Sequence, residues 1–128
     1  MEDLYRDIIL DAYKHPRNRG ELVAPDASFE DENPLCGDVL RVDLRLRGGI
    51  IEDAKFSGRG CAISQASAEL MLERVKGQPL EIVQSLSRDD VFEELGVEHL
   101  TVSRVKCAML SLKVLKGAAY GLESPVRV

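Results

Sequence analysis

Apolar residues at Leu4, Ile8, Ile9, Ala12 and Tyr13 recur at steps of three and four, the spacing of one helix face, and His15-Pro16 ends the run. A first helix is therefore predicted to about Lys14. From Pro16 to Pro34 the chain is rich in Pro, Asp, Asn and Glu, which reads as a long surface connection with a short strand at 27–30. Val42, Leu44 and Leu46 then alternate with Arg41, Asp43, Arg45 and Arg47, the period of a half-buried strand. Gly48-Gly49 forms a tight turn and Ile50 to Phe56 the return strand, giving a hairpin over 39–57. Ser57-Gly58-Arg59-Gly60 breaks that strand, and Ala62 to Lys76 carries Ile63, Ala66, Leu70 and Val75 at helical steps before Gly77. Leu80 to Leu86, opened by Pro79, and Asp89 to Leu95, ended by Gly96, read as two short helices. A longer helix starts at Val102, with one stripe through Val105, Met109, Leu112, Leu115 and Ala119, and stops at Gly121 and Pro125. Cys107 falls about 100° or more off the centre of that stripe, so it is not expected to be an ordinary core residue.

Helix, strands, then several helices, without strand–helix–strand alternation, predicts an α+β fold: a small antiparallel β-sheet with helices packed on one face. At 128 residues, 45% hydrophobic and 30% charged, residues 1–128 are expected to form a single domain with one core. Neither an internal repeat nor a low-complexity tract interrupts it.

Charge and composition remove several classes of function. The formal net charge is −5, the opposite sign to a phosphate-binding surface, and without Trp and with 5% aromatic residues there is little to stack bases on. Nucleic acid is not an expected partner. No apolar run approaches the roughly 20 residues that span a bilayer, and the first residues are acidic where a signal peptide is basic, so no membrane association and a cytoplasmic location are expected.

Three cysteines, Cys36, Cys61 and Cys107, cannot all pair within one chain, and a reducing cytosol keeps them as thiols. Each alone also fits a small buried apolar residue. Their surroundings point further. In Asn33-Pro34-Leu35-Cys36-Gly37-Asp38, an extended backbone would aim the Cys36 thiol and the Asp38 carboxylate the same way, with Gly37 relaxing the chain between them. In Gly58-Arg59-Gly60-Cys61-Ala62-Ile63-Ser64, the cysteine sits at a helix N-terminus beside a cation. Arg104 and Lys106 lie within three residues of Cys107. Thiolate is the form that binds metal or attacks sulfur, and the surroundings of Cys61 and Cys107 favour it. Three thiols and one carboxylate at element boundaries make a four-ligand set, Cys36, Asp38, Cys61 and Cys107, suited to tetrahedral Zn²⁺ or to iron–sulfur ligation. None belongs to a C-x-x-C pair, and His15 and His99 read as surface residues. A cysteine-nucleophile enzyme lacks a recognisable base, so the chain is expected not to be an enzyme of that kind.

Four ordered motifs resemble the iron–sulfur cluster assembly scaffold family, the IscU/SufU proteins and the N-terminal domain of NifU. They are Leu4-Tyr5-Arg6 with Tyr13-Lys14-His15-Pro16-Arg17-Asn18-Arg19-Gly20, Asn33 to Asp38, Gly58 to Ser64, and Arg104-Val105-Lys106-Cys107. The resemblance covers nearly the whole chain. It implies the three cysteines and the aspartate grouped at one exposed end, with Zn²⁺ in the resting form and a [2Fe–2S] cluster transiently. The implied partners are a cysteine desulfurase as sulfur source, an iron donor and apo iron–sulfur proteins as recipients. Cys107 or Cys36 would accept the persulfide.

Two departures mark this chain. Lys106 stands where IscU-type members have a histidine, and Leu100-Thr101-Val102-Ser103-Arg104 lacks the Leu-Pro-Pro-Val-Lys segment that docks their chaperone. Conversely, the step from Cys61 to Cys107 is too short for the insertion of SufU-type members. The chain thus mixes two patterns: a cluster scaffold, or a zinc-dependent sulfur-transfer protein that stimulates the desulfurase without holding a cluster.

Overall fold

A computed structural model describes residues 2–33, 37–97, 100 and 102–121. Their elements run α1 (Glu2–Lys14), β1 (Ala27–Asn33), β2 (Asp38–Arg47), β3 (Ile50–Arg59), α2 (Ala62–Val75), α3 (Ile82–Ser85), α4 (Arg88–Leu95) and α5 (Val102–Ala119). The strands form one antiparallel sheet of order β1-β2-β3, with Asn33 opposite Asp38 and Val39 opposite Arg59. This is the expected α+β architecture.

Strand alternation places Phe29, Leu40, Val42, Leu44, Ala54 and Phe56 on one face, each nearly or fully buried. Helix α5 packs on β1 and β2, and α2 on β3 and β2, so the core lies between that face and the two long helices. Gly117 of α5 lets the helix approach the sheet, because a Cβ there would stand 2.5 Å from the Phe29 ring. An ion pair of 2.6 Å between Lys113 Nζ and Asp31 Oδ2 ties α5 to β1 on the same side.

Residues 16–26 do more than the surface connection predicted from their composition. Phe56 N–H donates to the Asn18 carbonyl at 2.8 Å, and Gly20 N–H donates to the Phe56 carbonyl at 2.7 Å. This short stretch therefore runs parallel to β3. Further on, Asp43 anchors the connection against the outer face of the sheet. It is 1% exposed and accepts from Arg41 Nε and Ser28 Oγ, both at 2.9 Å, and from Leu22 N–H at 3.1 Å. The hydrogen bond to Asp43 is the main reason the Arg41 guanidinium is held above its ordinary pKa. The strand predicted at 27–30 extends to Asn33 because its pairing with β2 continues to Asp38.

The two long helices depart from a one-stripe pattern. Helix α2 is buried from Ile63 to Glu69 and again at Met71, Leu72 and Val75, because α1, α4, α5 and the sheet surround it. Helix α5 is likewise buried at Cys107, Ala108, Leu110, Leu112, Val114, Leu115 and Ala118, while Val105, Met109 and Ala119 of the predicted stripe are only partly buried. Cys107, expected off the core face, is 6% exposed, since α5 is covered by the sheet on one side and by α2, α3 and α4 on others. A helix packed on several sides has no single apolar stripe to read.

Helix α4 starts one residue earlier than predicted, where Ser87 N–H donates to Asp90 Oδ2 at 2.8 Å, and ends at Gly96 with φ +76°. Arg74 joins α2 to α4 through Asp90, Glu93 and Glu94, at 2.6, 3.0 and 3.1 Å. No described helix is long and apolar enough to cross a membrane.

Candidate metal centre

The starts of β2 and α2 and the first half of α5 meet at one end of the sheet. Asp38 opens β2 and is 3% exposed, Cys61 precedes the first residue of α2, and Cys107 lies in the first half of α5. One ligand atom from each, a carboxylate oxygen and two Sγ atoms, lies within 4.8 Å of the others. Residues separated by 23 and 46 positions are thus brought to one point. Cys36, the fourth member of the sequence-derived set, belongs to the β1–β2 connection and lies outside the described residues, as does His99. His15 is exposed, as expected.

The local chain geometry explains how Asp38 and Cys61 meet. The backbone turns between β3 and α2 through Gly58 (φ +135°) and Gly60 (φ +151°), conformations that L side chains rarely adopt. At Gly60 a Cβ would stand 2.6 Å from the Asp38 carboxylate, so the space that the acid occupies exists only because residue 60 has no side chain. The Cys61 N–H donates to Asp38 Oδ1 at 3.1 Å, and the Cys61 thiol lies 3.5 Å from Oδ2. Asp38 therefore caps the exposed start of α2 from another strand and places negative charge at its positive end. Ser64 Oγ donates to the Cys61 carbonyl at 3.0 Å and stands 3.9 Å from the Cys61 sulfur.

On the other side of the turn, the extended geometry expected through Gly37 is not found. Gly37 has φ +75° and its N–H donates to the Asn33 carbonyl at 2.8 Å, because the chain reverses between β1 and β2.

A cluster of two thiols and one carboxylate has the mixed soft and hard donor character that suits Zn²⁺ or iron, and the three donors are close enough to share one ion. The group therefore fits this end of the molecule. A cavity of about 590 Å³ runs along α5 past Leu86, Met109 and Lys113 and reaches Lys106, the neighbour of Cys107, and Asn33, which lies opposite Asp38.

Sequence reasoning missed a polar cluster beside this site. Asn18, fully buried, donates from its backbone N–H to Glu69 Oε1 at 2.9 Å and from Nδ2 to Glu69 Oε2 and Glu73 Oε1, each at 3.2 Å. Arg19 reaches Gln65 and Gly58. The available signal was a run of polar residues, Ser64, Gln65, Ser67 and Glu69, inside a helix with core on every side; such groups need partners.

An antiparallel sheet covered by helices, with cysteines and an acid gathered at one end, defines a small metal- or sulfur-handling α+β protein. The sequence matches the profile of the NifU-like N-terminal domain over residues 4–124, and the chain belongs to that family. It is 42% identical to the zinc-dependent sulfurtransferase SufU of Bacillus subtilis, covering 93% of this chain and 92% of the relative. It is 37% identical to the iron–sulfur cluster assembly scaffold protein IscU of Thermotoga maritima, covering 95% and 96%. The crystal structure of FiSufU from Fervidobacterium islandicum superposes with a TM-score of 0.73 at 27% identity, over 88% of this chain and 94% of that one. The N-terminal NifU-like protein of Brucella abortus shares the fold, with a TM-score of 0.80 at 21% identity over 94% and 95%.

Proposed function

We propose that the chain is an iron–sulfur cluster assembly scaffold, a single domain over 1–128 that accepts sulfur from a cysteine desulfurase and builds or relays a [2Fe–2S] cluster in the cytoplasm. The observation that carries this reading is the convergence of Asp38, Cys61 and Cys107 within 4.8 Å, each from a different element. Cys36 completes the ligand set in the proposal. Apo iron–sulfur proteins receive the product, and an iron donor supplies the metal; the chain acts as an acceptor and carrier rather than an enzyme.

Cys36, Asp38, Cys61 and Cys107 would hold Zn²⁺ in the resting form, and its positive charge would keep the thiolates ionised and shielded from oxidation. Sulfur transfer itself is thiol exchange. The Cys107 thiolate, with Cys36 as the alternative, attacks the outer sulfur of the desulfurase persulfide. A new S–S bond forms at the acceptor as the donor's S–S bond breaks, and the donor cysteine leaves as thiolate without net oxidation. Asp38 would be the hard, weaker donor of such a set and the one most readily exchanged.

A second reading has its own support. Lys106 precedes Cys107 in place of a histidine, and the 42% identity is to a zinc-dependent sulfurtransferase. In that case sulfur is relayed and no cluster is kept.

Anaerobic incubation with a desulfurase, cysteine and Fe²⁺ separates the two. Visible charge-transfer bands on the protein mark a scaffold. Faster cysteine turnover without such bands marks a sulfur relay, and neither bands nor faster turnover would remove both readings. Asp38→Ala is expected to hold an assembled cluster about threefold longer or more, because the labile ligand has gone. Release of the cluster with aggregation would instead mean that Asp38 acts through its cap on α2 and not as an exchanging ligand.

A further inference from the structure

The turn that presents Cys61 begins where the β2–β3 ladder ends, at Arg59 opposite Val39. Gly58 is held by its pairing opposite Leu40, but neither it nor Gly60 has a side chain to pack, Arg59 between them is exposed, and glycine is the residue with the widest choice of backbone conformations. Yet the Cys61 sulfur must stay beside Asp38 for the two to share an ion.

Arg19 spans this turn from outside. Its guanidinium donates from Nη2 to the Gly58 carbonyl at 3.1 Å and from Nη1 to Gln65 Oε1. The first contact is at the next-to-last residue of β3, the second on the first turn of α2, and Cys61 lies between them. The base of the arginine is fixed in turn. Its backbone is paired with Phe56, Asn18 before it is locked to Glu69, and the guanidinium sits 5.9 Å from the centroid of the Phe56 ring. A rigid planar fork on an immobile base is a suitable brace between two elements.

We propose that Arg19 is a positioning residue for Cys61: by bridging Gly58 and Gln65 it fixes the turn that aims the Cys61 sulfur at Asp38, and so sets the metal affinity of the site. This rests on the metal-centre reading above. Arg19 touches neither metal nor sulfur itself. Gln65, 4% exposed, is the other half of the brace.

The test uses Arg19→Ala and Arg19→Lys in the full chain. In metal-free protein, the rates at which iodoacetamide modifies Cys61 and Cys107 are read separately by peptide mass spectrometry, and urea midpoints are measured alongside. In Arg19→Ala the Cys61 rate is expected to rise about threefold or more relative to Cys107, with the urea midpoint little changed, as local opening of the turn requires. Chelator competition is expected to show zinc affinity lowered roughly 10- to 100-fold, the usual consequence of losing a group that orients a ligand. Lysine keeps one donor but not the fork, so Arg19→Lys is expected to fall between wild type and alanine.

An unchanged Cys61-to-Cys107 ratio in Arg19→Ala overturns the proposal. So does a parallel rise at both cysteines with a fallen urea midpoint, which would make Arg19 a general stabiliser. If the wild-type chain binds no zinc, the metal-centre reading fails, and the alkylation ratio still decides the brace.

Discussion

Gly58→Ala is expected to be among the most damaging single substitutions in this protein, lowering its stability by about 4 kcal/mol. Gly58 lies opposite Leu40 in the β2–β3 ladder at φ +135°, and a Cβ there would stand 2.0 Å from the Val39 carbonyl oxygen. Nothing flexible can give way, because the obstructing atom is backbone in the central strand. The pairing must open at the point where Asp38 and Cys61 are brought together. With a denaturant slope of about 2 kcal/mol/M, the urea midpoint should fall by roughly 2 M. Gly49→Ala is the control, since Gly49 has φ +80° but nothing within 4 Å of its Cβ position. Backbone strain alone should cost about 1 kcal/mol there. Equal midpoints for the two variants would mean that the β3–α2 corner yields easily and that its glycine is not needed for close approach.

Cys107→Ser is expected to have the largest effect on metal binding, loosening Zn²⁺ by about 100-fold or more, or roughly 2.7 kcal/mol. Serine matches the size of cysteine at this buried position but replaces a thiolate by a hydroxyl that is a poor zinc ligand. Chelator competition measures the affinity, and urea unfolding of the metal-free protein separates any packing defect from the loss of a ligand. Zinc held as tightly as by wild type would mean that Asp38, Cys61 and Cys107 are neighbours for packing alone, and the proposed function would lose its carrying observation.

The elements were legible in the sequence where a local rule governs them. Alternation with Gly48-Gly49 marked the β2–β3 hairpin, and Gly96 marked the end of α4 with a positive φ. The glycines around Arg59 marked the sharp turn before Cys61. The stripe on α5 was misread for a physical reason: periodicity reports one buried face, and α5 is covered on several. Asn18 with Glu69, and Arg19 with Gln65, were invisible as a cluster because their bonds join residues 51 and 46 positions apart.

By itself, then, the sequence determined an antiparallel hairpin, the succession of helices, and the placing of Asp38 and Cys61 at element boundaries, since each follows from interactions between near neighbours along the chain. Only the tertiary structure decided that Asp38 caps α2, that Cys107 is buried beside Cys61, and that Arg19 braces the turn between β3 and α2. Those contacts depend on how the sheet and the two long helices are stacked, which the packing of the whole core selects and no local pattern encodes.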